Sequence, residues 1–204
     1  MFIQVIKGQV SDADAMQAAW NRWLDETAAG AIGWLGTTAG VTDDGTFVGL
    51  ARFESEDAAR RNSERPEQDQ WWRETATLFT GEATFTDCSE VLEMGPGGSD
   101  DAGFVQVIEG RVRDVERWRQ LGERWESMGG GGDFRPDVIG GITALHGDGG
   151  YTTAVYFTSE AEAREGERKE PPAEMKAMME EERALQEGDL VYFDLRKPWL
   201  ASPK

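Results

Sequence analysis

Apolar positions along this chain change their period in a regular order, and the order names the elements. Phe2 to Val10 is rich in β-branched and apolar residues and reads as a strand. Ser11 and Asp12 offer an N-cap for a helix from about Ala13 to Ala28. On it Met16, Trp20, Trp23, Leu24 and Thr27 share one helical face, and Ala29-Gly30 ends it. Trp34 to Val41 and Thr46 to Phe53 read as strands joined through Asp43-Asp44-Gly45, a hairpin signal. Ser55-Glu56-Asp57 opens a second helix with acids in its first turn, which suits the helix dipole. Pro66 interrupts it, a further helix runs from about Glu67 to Phe79, Gly81 stops that, and Glu82 to Glu93 reads as one last strand.

The same plan is then written again. Phe2-Ile3-Gln4-Val5-Ile6-Lys7-Gly8-Gln9-Val10 returns as Phe104-Val105-Gln106-Val107-Ile108-Glu109-Gly110-Arg111-Val112, six of nine positions identical at an offset of 102. Gly36, Asp44, Gly45, Phe53, Ser55, Glu56, Ala59 and Arg60 recur at an offset of 104, and Gly81, Glu82, Phe85 and Asp87 are answered at 107 by Gly188, Asp189, Tyr192 and Asp194. The offset grows where turn residues cluster and insertions cost little. The period, roughly 95 residues, is that of a domain and not of a solenoid repeat.

In the second copy Val115, Trp118, Leu121, Trp125 and Met128 make the first helix face, and Gly129 to Gly132 is a four-glycine insertion expected to be a flexible loop. Asp148-Gly149-Gly150 makes the hairpin, Ser159-Glu160-Ala161-Glu162 is a capping box, and Pro171-Pro172 breaks the second helix. A helix from Ala173 to about Glu187 and a final strand from Leu190 to Leu195 complete it. The expected domains are 1–94 and 104–204, with 95–103 (Gly, Pro, Ser, Asp) as linker. Each unit matches a ferredoxin-like α+β plan: a four-stranded antiparallel sheet with both helices on one face. The other face needs a cover, which a tandem copy supplies. The expected architecture is two such units packed as a pseudo-twofold intrachain α+β barrel, and hence a monomer.

Composition narrows the function classes. There are 39 acidic and 21 basic residues, a net charge of −18, and this surface repels nucleic acid. The best basic stretch, Arg111, Arg113, Arg117 and Arg119, is interleaved with Asp114, Glu116 and Glu123 and reads as a solvated helix face. Cys88 is alone, so no intrachain disulfide forms and a reducing compartment is expected. No signal peptide and no run near the ~20 apolar residues of a spanning helix is seen, so the expectation is a cytoplasmic protein without a membrane partner.

The strand Phe2 to Ile6, the Phe53-Glu54-Ser55-Glu56-Asp57-Ala58-Ala59 junction, and the Trp71-Trp72 helix followed by Gly81-Glu82-Ala83-Thr84-Phe85 resemble the dimeric α+β barrel superfamily, and within it the antibiotic-biosynthesis-monooxygenase type domain, here as a tandem repeat. The resemblance covers nearly all of both units. It implies the barrel fold far more than a chemistry, since the superfamily holds cofactor-free quinol oxygenases, haem-degrading enzymes, decarboxylases, isomerases and members without known activity. Many members carry a His a few residues into the second helix. Asn62 and Gly166 stand there in this chain, so neither haem ligation nor His-based acid–base chemistry carries over.

Several residues invite a functional reading beside a structural one. His146, the only histidine, is either a haem ligand or base, or a hairpin-end residue facing water. With one His and one Cys a zinc site is rejected, and no metal or cofactor is expected. Gln4 and Gln106, on apolar strand faces, meet either a ligand or a protein partner. Asn62, Trp71 or Trp72, and Arg52 compose a group that binds a deprotonated phenol and an oxygen-derived anion, or else Asn62 caps the helix break and the tryptophans are core. Arg52, matched by Tyr156, lies on a cavity wall or on an edge facing water. Met175, Met178 and Met179 replace the paired tryptophans in the second unit as an adaptable pocket or as core, so a functional cavity is expected in the first unit. Two functions follow: a cofactor-independent monooxygenase-like protein acting on a small aromatic or polyketide-like compound, or a non-catalytic small-molecule-binding or scaffold module of the same fold.

Overall fold

A computed structural model describes residues 1–127 and 134–203. The expected loop 129–132, and Met128 before it, lie outside the described residues. The chain forms two compact units, one of residues 1–91 and 197–204 and one of residues 92–196. Both are α+β.

The first unit contains β1 (Phe2–Gln9), α1 (Ala13–Glu26), β2 (Trp34–Val41), β3 (Thr46–Phe53), α2 (Glu56–Ser63), α3 (Pro66–Ala76) and β4 (Thr84–Cys88). Its local signals act as their chemistry requires. The Asp12 side chain accepts from the Ala15 N–H and starts α1; Ser55 does the same from Ala58 for α2; Pro66 takes the first position of α3. The β2–β3 hairpin turns at Gly45, whose φ of +84° is a region L side chains avoid. In the second unit, after β5 (Glu90–Met94) at the junction, come β6 (Phe104–Arg111), α4 (Val115–Ser127), β7 (Val138–Leu145), β8 (Gly150–Phe157), α5 (Glu160–Gly166), α6 (Ala173–Leu185) and β9 (Val191–Leu195). A last strand, β10 (Trp199–Ala201), follows.

Both sheets are antiparallel, in the orders β10-β2-β3-β1-β4 and β5-β7-β8-β6-β9. Three expectations are corrected here. Each sheet has five strands, not four. The single strand expected over Glu82–Glu93 is two strands, β4 and β5, interrupted at Ser89 and belonging to different sheets. Leu190–Leu195 is not the final strand, because β10 follows it and pairs with β2 through Trp199↔Ala39. The physical reason is common to all three. β2 and β7 would otherwise end their sheets with unpaired N–H and C=O groups, and β10 and β5 cover those edges.

The register fixes which side chains face the helices in the first unit. Gln4 lies opposite Ala51 and Ile6 opposite Gly49, whereas Ile3 lies opposite Arg52 and Val5 opposite Leu50. The first set points under α1 and α3, the second to the other sheet face. Beneath the helices Trp23, Trp34, Phe2, Phe53 and Ala58 form one buried cluster, and Met16, Val10, Ala39, Phe79 and Trp199 another.

Candidate functional site

A cavity lies between the helices and the sheet of the first unit. Its cavity volume is about 90 Å³, within a wider cleft that opens to solvent. Indole and phenyl rings make most of its wall: Trp20 and Trp23 from α1, Trp71 and Trp72 from α3, Trp34, Phe47 and Phe53 from the sheet, and Phe79. The rings brace one another. Trp20 and Trp23 stack at 5.4 Å, Trp23 meets Trp34 edge-on at 5.0 Å, and Trp72 meets Phe85 edge-on at 5.0 Å. Each such pair contributes about 0.5–1.5 kcal/mol beyond area burial. The space is therefore held open by stiff walls.

Of the sequence candidates, the structure brings Gln4, Asn62, Trp71 and Trp72 to this cavity. Asn62 sits at the end of α2 and is 7% exposed. Its Oδ1 accepts from Arg65 Nη1 at 2.9 Å. A guanidinium only donates, so the atom it touches must be the carbonyl oxygen, and the NH2 of Asn62 is left without a protein partner. The same logic fixes Gln4. Its Nε2 donates to Asp87 Oδ1 at 2.8 Å, and since a carboxylate only accepts, Gln4 keeps its Oε1 acceptor free. Gln106 repeats the arrangement with Asp194 at 2.9 Å, so in both units the strand glutamine meets a neighbouring carboxylate. Trp71 donates its indole N–H to Ala19 O at 2.8 Å, which leaves only its ring to the cavity. No hydrogen bond occupies the indole N–H of Trp72.

Arg52 is not brought to the cavity. Alternation along β3 turns Phe47, Gly49, Ala51 and Phe53 toward it and Val48, Leu50 and Arg52 away. Arg52 is also not at a water-facing edge, being 8% exposed with its Nε buried and unpartnered. Its guanidinium lies over Gly36, whose φ of +135° and bare α-carbon make room for it.

His146 is half-buried, with its Nε2 3.0 Å from Thr152 Oγ1, and does not line this cavity. Cys88 is buried, and burial with the nearby Asp87 charge pushes its thiol up to about 11, so it stays protonated at neutral pH. No cluster of three or more His, Cys, Asp or Glu that would hold a metal occurs among the described residues. Among those residues, no helix is long and apolar enough to cross a membrane.

Two cavity residues escaped the sequence reading. Gln68 accepts from Trp23 Nε1 at 2.6 Å, and Thr75, 2% exposed, has a buried hydroxyl with no hydrogen-bond partner. The signal was present. Gln68, Trp71, Trp72 and Thr75 fall at i, i+3, i+4 and i+7, so two polar residues lie in one apolar stripe of α3.

At repeat-related positions the second unit differs. Tyr151 replaces Phe47, Trp118 replaces Met16, and the two stack at 5.0 Å. Glu182 replaces Thr75 and accepts from Trp118 Nε1 at 3.0 Å. Burial and a Gln186 hydrogen bond act oppositely on the Tyr151 hydroxyl, and burial prevails, raising it to about 12. Met178 is buried there, while Met179 is exposed. Gly166 closes on Arg135, which pairs with the buried Asp137 at 2.7 Å.

The lining of the first-unit cavity contains no ionisable side chain. It offers stacking surfaces, oriented amides and two threonine hydroxyls, those of Thr37 and Thr75. It can bind and polarise an uncharged aromatic molecule; it holds no acid, base or nucleophile.

No family model matches the chain, and no curated protein matches it by sequence. Solved structures match it by shape. A "putative monooxygenase" of Lactobacillus acidophilus NCFM superposes with a TM-score of 0.74 at 14% identity, covering 98% of this chain and 95% of that one. One of Fusobacterium nucleatum gives 0.75 at 10% identity over 98% and 94%. An anthrone oxidase-like protein gives 0.62 at 11% identity over 98% and 92%. The chain thus has the tandem ferredoxin-like fold of these two-unit proteins, in line with the resemblance read from its sequence. At such identities the likeness is one of fold.

Proposed function

We propose that the first unit binds a small, uncharged aromatic or polyketide-like molecule between α1, α3 and the sheet. The observation that carries this reading is the wall of mutually braced aromatic rings around space that no side chain fills, with the Asn62 NH2 left unpaired beside it. A ligand carbonyl or hydroxyl that accepts from this NH2 gains a hydrogen bond worth about 0.5–1.5 kcal/mol. Stacking on the indoles supplies the remainder of the affinity. Gln4 takes part as an acceptor, Trp71 and Trp72 as stacking surfaces. Arg52 has no place in this site.

A second reading is cofactor-independent oxygenation of the bound molecule. It is supported by the fold shared with monooxygenase-named and anthrone oxidase-like proteins, and by the neutral amide donors of Asn62 and Gln68 in the lining, a type of group that stabilises a developing enolate or phenolate. With no base in the lining, the substrate's proton would have to pass to water; the carbanion left behind would reduce dioxygen, one oxygen atom entering the substrate as a carbonyl and the other leaving as water. Binding without turnover is the leading reading.

Tryptophan fluorescence titration with polycyclic phenols and ketones tests binding. Saturable quenching lost in Trp72→Ala and weakened in Asn62→Ala is expected; quenching that survives both places the ligand elsewhere. Oxygen uptake by metal- and flavin-free protein with the same compounds separates enzyme from binding module.

A further inference from the structure

Thr75 carries a buried hydroxyl without a partner, a condition that among the described residues of the first unit only Arg52 Nε, which lies away from the cavity, shares. A threonine inside a helix ordinarily turns its hydroxyl onto the carbonyl four residues back, here that of Trp71. Thr75 does not. Its Oγ1 is shielded from solvent, has no partner, and belongs to the cavity wall.

Gln68 stands seven residues earlier on the same face of α3. Trp23 Nε1 donates to its Oε1, which leaves the Gln68 NH2 free, as the Arg65 bond leaves that of Asn62. Seven residues are about two helical turns, or roughly 10 Å along the axis. Between these polar positions the helix presents Trp71 and Trp72. Along α3 the wall therefore carries donors toward the start of the helix and the Thr75 hydroxyl toward its end; a further hydroxyl, that of Thr37 on β2, accepts from Trp34 Nε1 at 2.9 Å.

We infer that Thr75 is a specificity-determining residue: it recognises a second polar group at the far end of an elongated aromatic ligand whose first polar group meets Asn62 or Gln68. The inference rests on the ligand-binding reading of this cavity. It names the ligand class more closely, as a planar, uncharged, fused-ring molecule with an oxygen at each end. In the second unit the repeat-related residue is Glu182, a carboxylate already engaged by Trp118, so this recognition belongs to the first unit alone.

The test compares 2-naphthol with 2,6-dihydroxynaphthalene by tryptophan fluorescence titration of the full chain, in the wild type, Thr75→Val and Thr75→Ser. In the wild type the second hydroxyl is expected to tighten binding about tenfold, the worth of one hydrogen bond. Thr75→Val should reduce that ratio to about one, and Thr75→Ser should retain it. The free Thr75→Val protein should also melt a few degrees higher, because it no longer buries an unpaired hydroxyl. An unchanged tenfold ratio in Thr75→Val overturns the role of Thr75 and leaves the cavity reading standing. A lower melting temperature, or failure of that variant to fold, shows the hydroxyl to be structurally engaged and also overturns it. If neither naphthol binds the wild type, the cavity reading falls, and this inference with it.

Discussion

Replacing Asn62 by aspartate changes one atom type and reverses the polarity of the cavity at that point. The side-chain shape is kept, and Oδ1 still accepts from Arg65 Nη1, now as a charge-assisted bond at the same 2.9 Å. That gain offsets the cost of placing a carboxylate at a site only 7% exposed. The fold should survive with a stability change within about 1 kcal/mol, a shift of roughly 2–4 °C for a chain of this size. On the cavity side the consequence is larger. A donor NH2 becomes an anionic acceptor. A ligand carbonyl loses a hydrogen bond of about 1 kcal/mol and faces a buried oxygen that nothing satisfies, at a further cost of about 1–3 kcal/mol. The total, about 2–4 kcal/mol, is a loss of roughly 30- to 900-fold in affinity. Fluorenone, which carries one carbonyl, and fluorene, which carries none, separate the terms. Tryptophan fluorescence titrations of wild type and Asn62→Asp should show a large loss for fluorenone and a much smaller one for fluorene. Equal affinity of fluorenone for both proteins would refute the placement of the amide at the ligand. Equal losses for both probes would show a general effect of charge and no hydrogen bond.

Two other outcomes follow from the second unit and from the repeat. Burial pushes the Asp137 carboxyl up, but the Arg135 hydrogen bonds outweigh it, so its pKa in the folded protein lies below the usual value near 3.8. Its contribution is therefore present above that value and lost as pH falls through the lower folded one. Asp137→Asn should cost about 2–3 kcal/mol at pH 7, seen as a lower urea midpoint, and the gap to wild type should hold from pH 7 to 5 and close only below about pH 4. A gap that already closes between pH 7 and 5 would mean that another group carries the effect. Because both repeats lie in one chain, light scattering should give a mass near 22.6 kDa; twice that mass, with the units exchanged between chains, would overturn this expectation.

Element order was legible because each boundary carried a local chemical mark. Asp12, Ser55 and Pro66 start their helices where the caps place them, and Gly45 turns the hairpin. The fifth strand of each sheet was not legible. No Gly or Pro marks Ser89, although the chain there leaves one sheet for the other, and Trp199–Ala201 is too short to show any period. Part of the site was legible through the Trp71-Trp72 pair, Gln4 and Asn62 as an amide beside a helix break. Arg52 was grouped with them by chemistry, but its parity along β3 sets it on the opposite face from Ala51 and Phe53. The free end of each amide was out of reach of sequence, because it depends on whether a donor or an acceptor lies beside it. Arg65 and Asp87 settle that only through tertiary contact. Thr75 was visible as a polar residue in an apolar stripe, yet only the packed structure shows that its hydroxyl is unpaired.

The central claim is that the cavity beneath α1 and α3 of the first unit receives an aromatic ligand oriented by Asn62. A crystal structure of the full chain soaked with fluorenone tests it most directly. Ligand density is expected between the Trp20–Trp23 and Trp71–Trp72 walls, with the carbonyl oxygen within hydrogen-bond distance of Asn62 Nδ2. Density at another site, with this cavity unchanged, would contradict it.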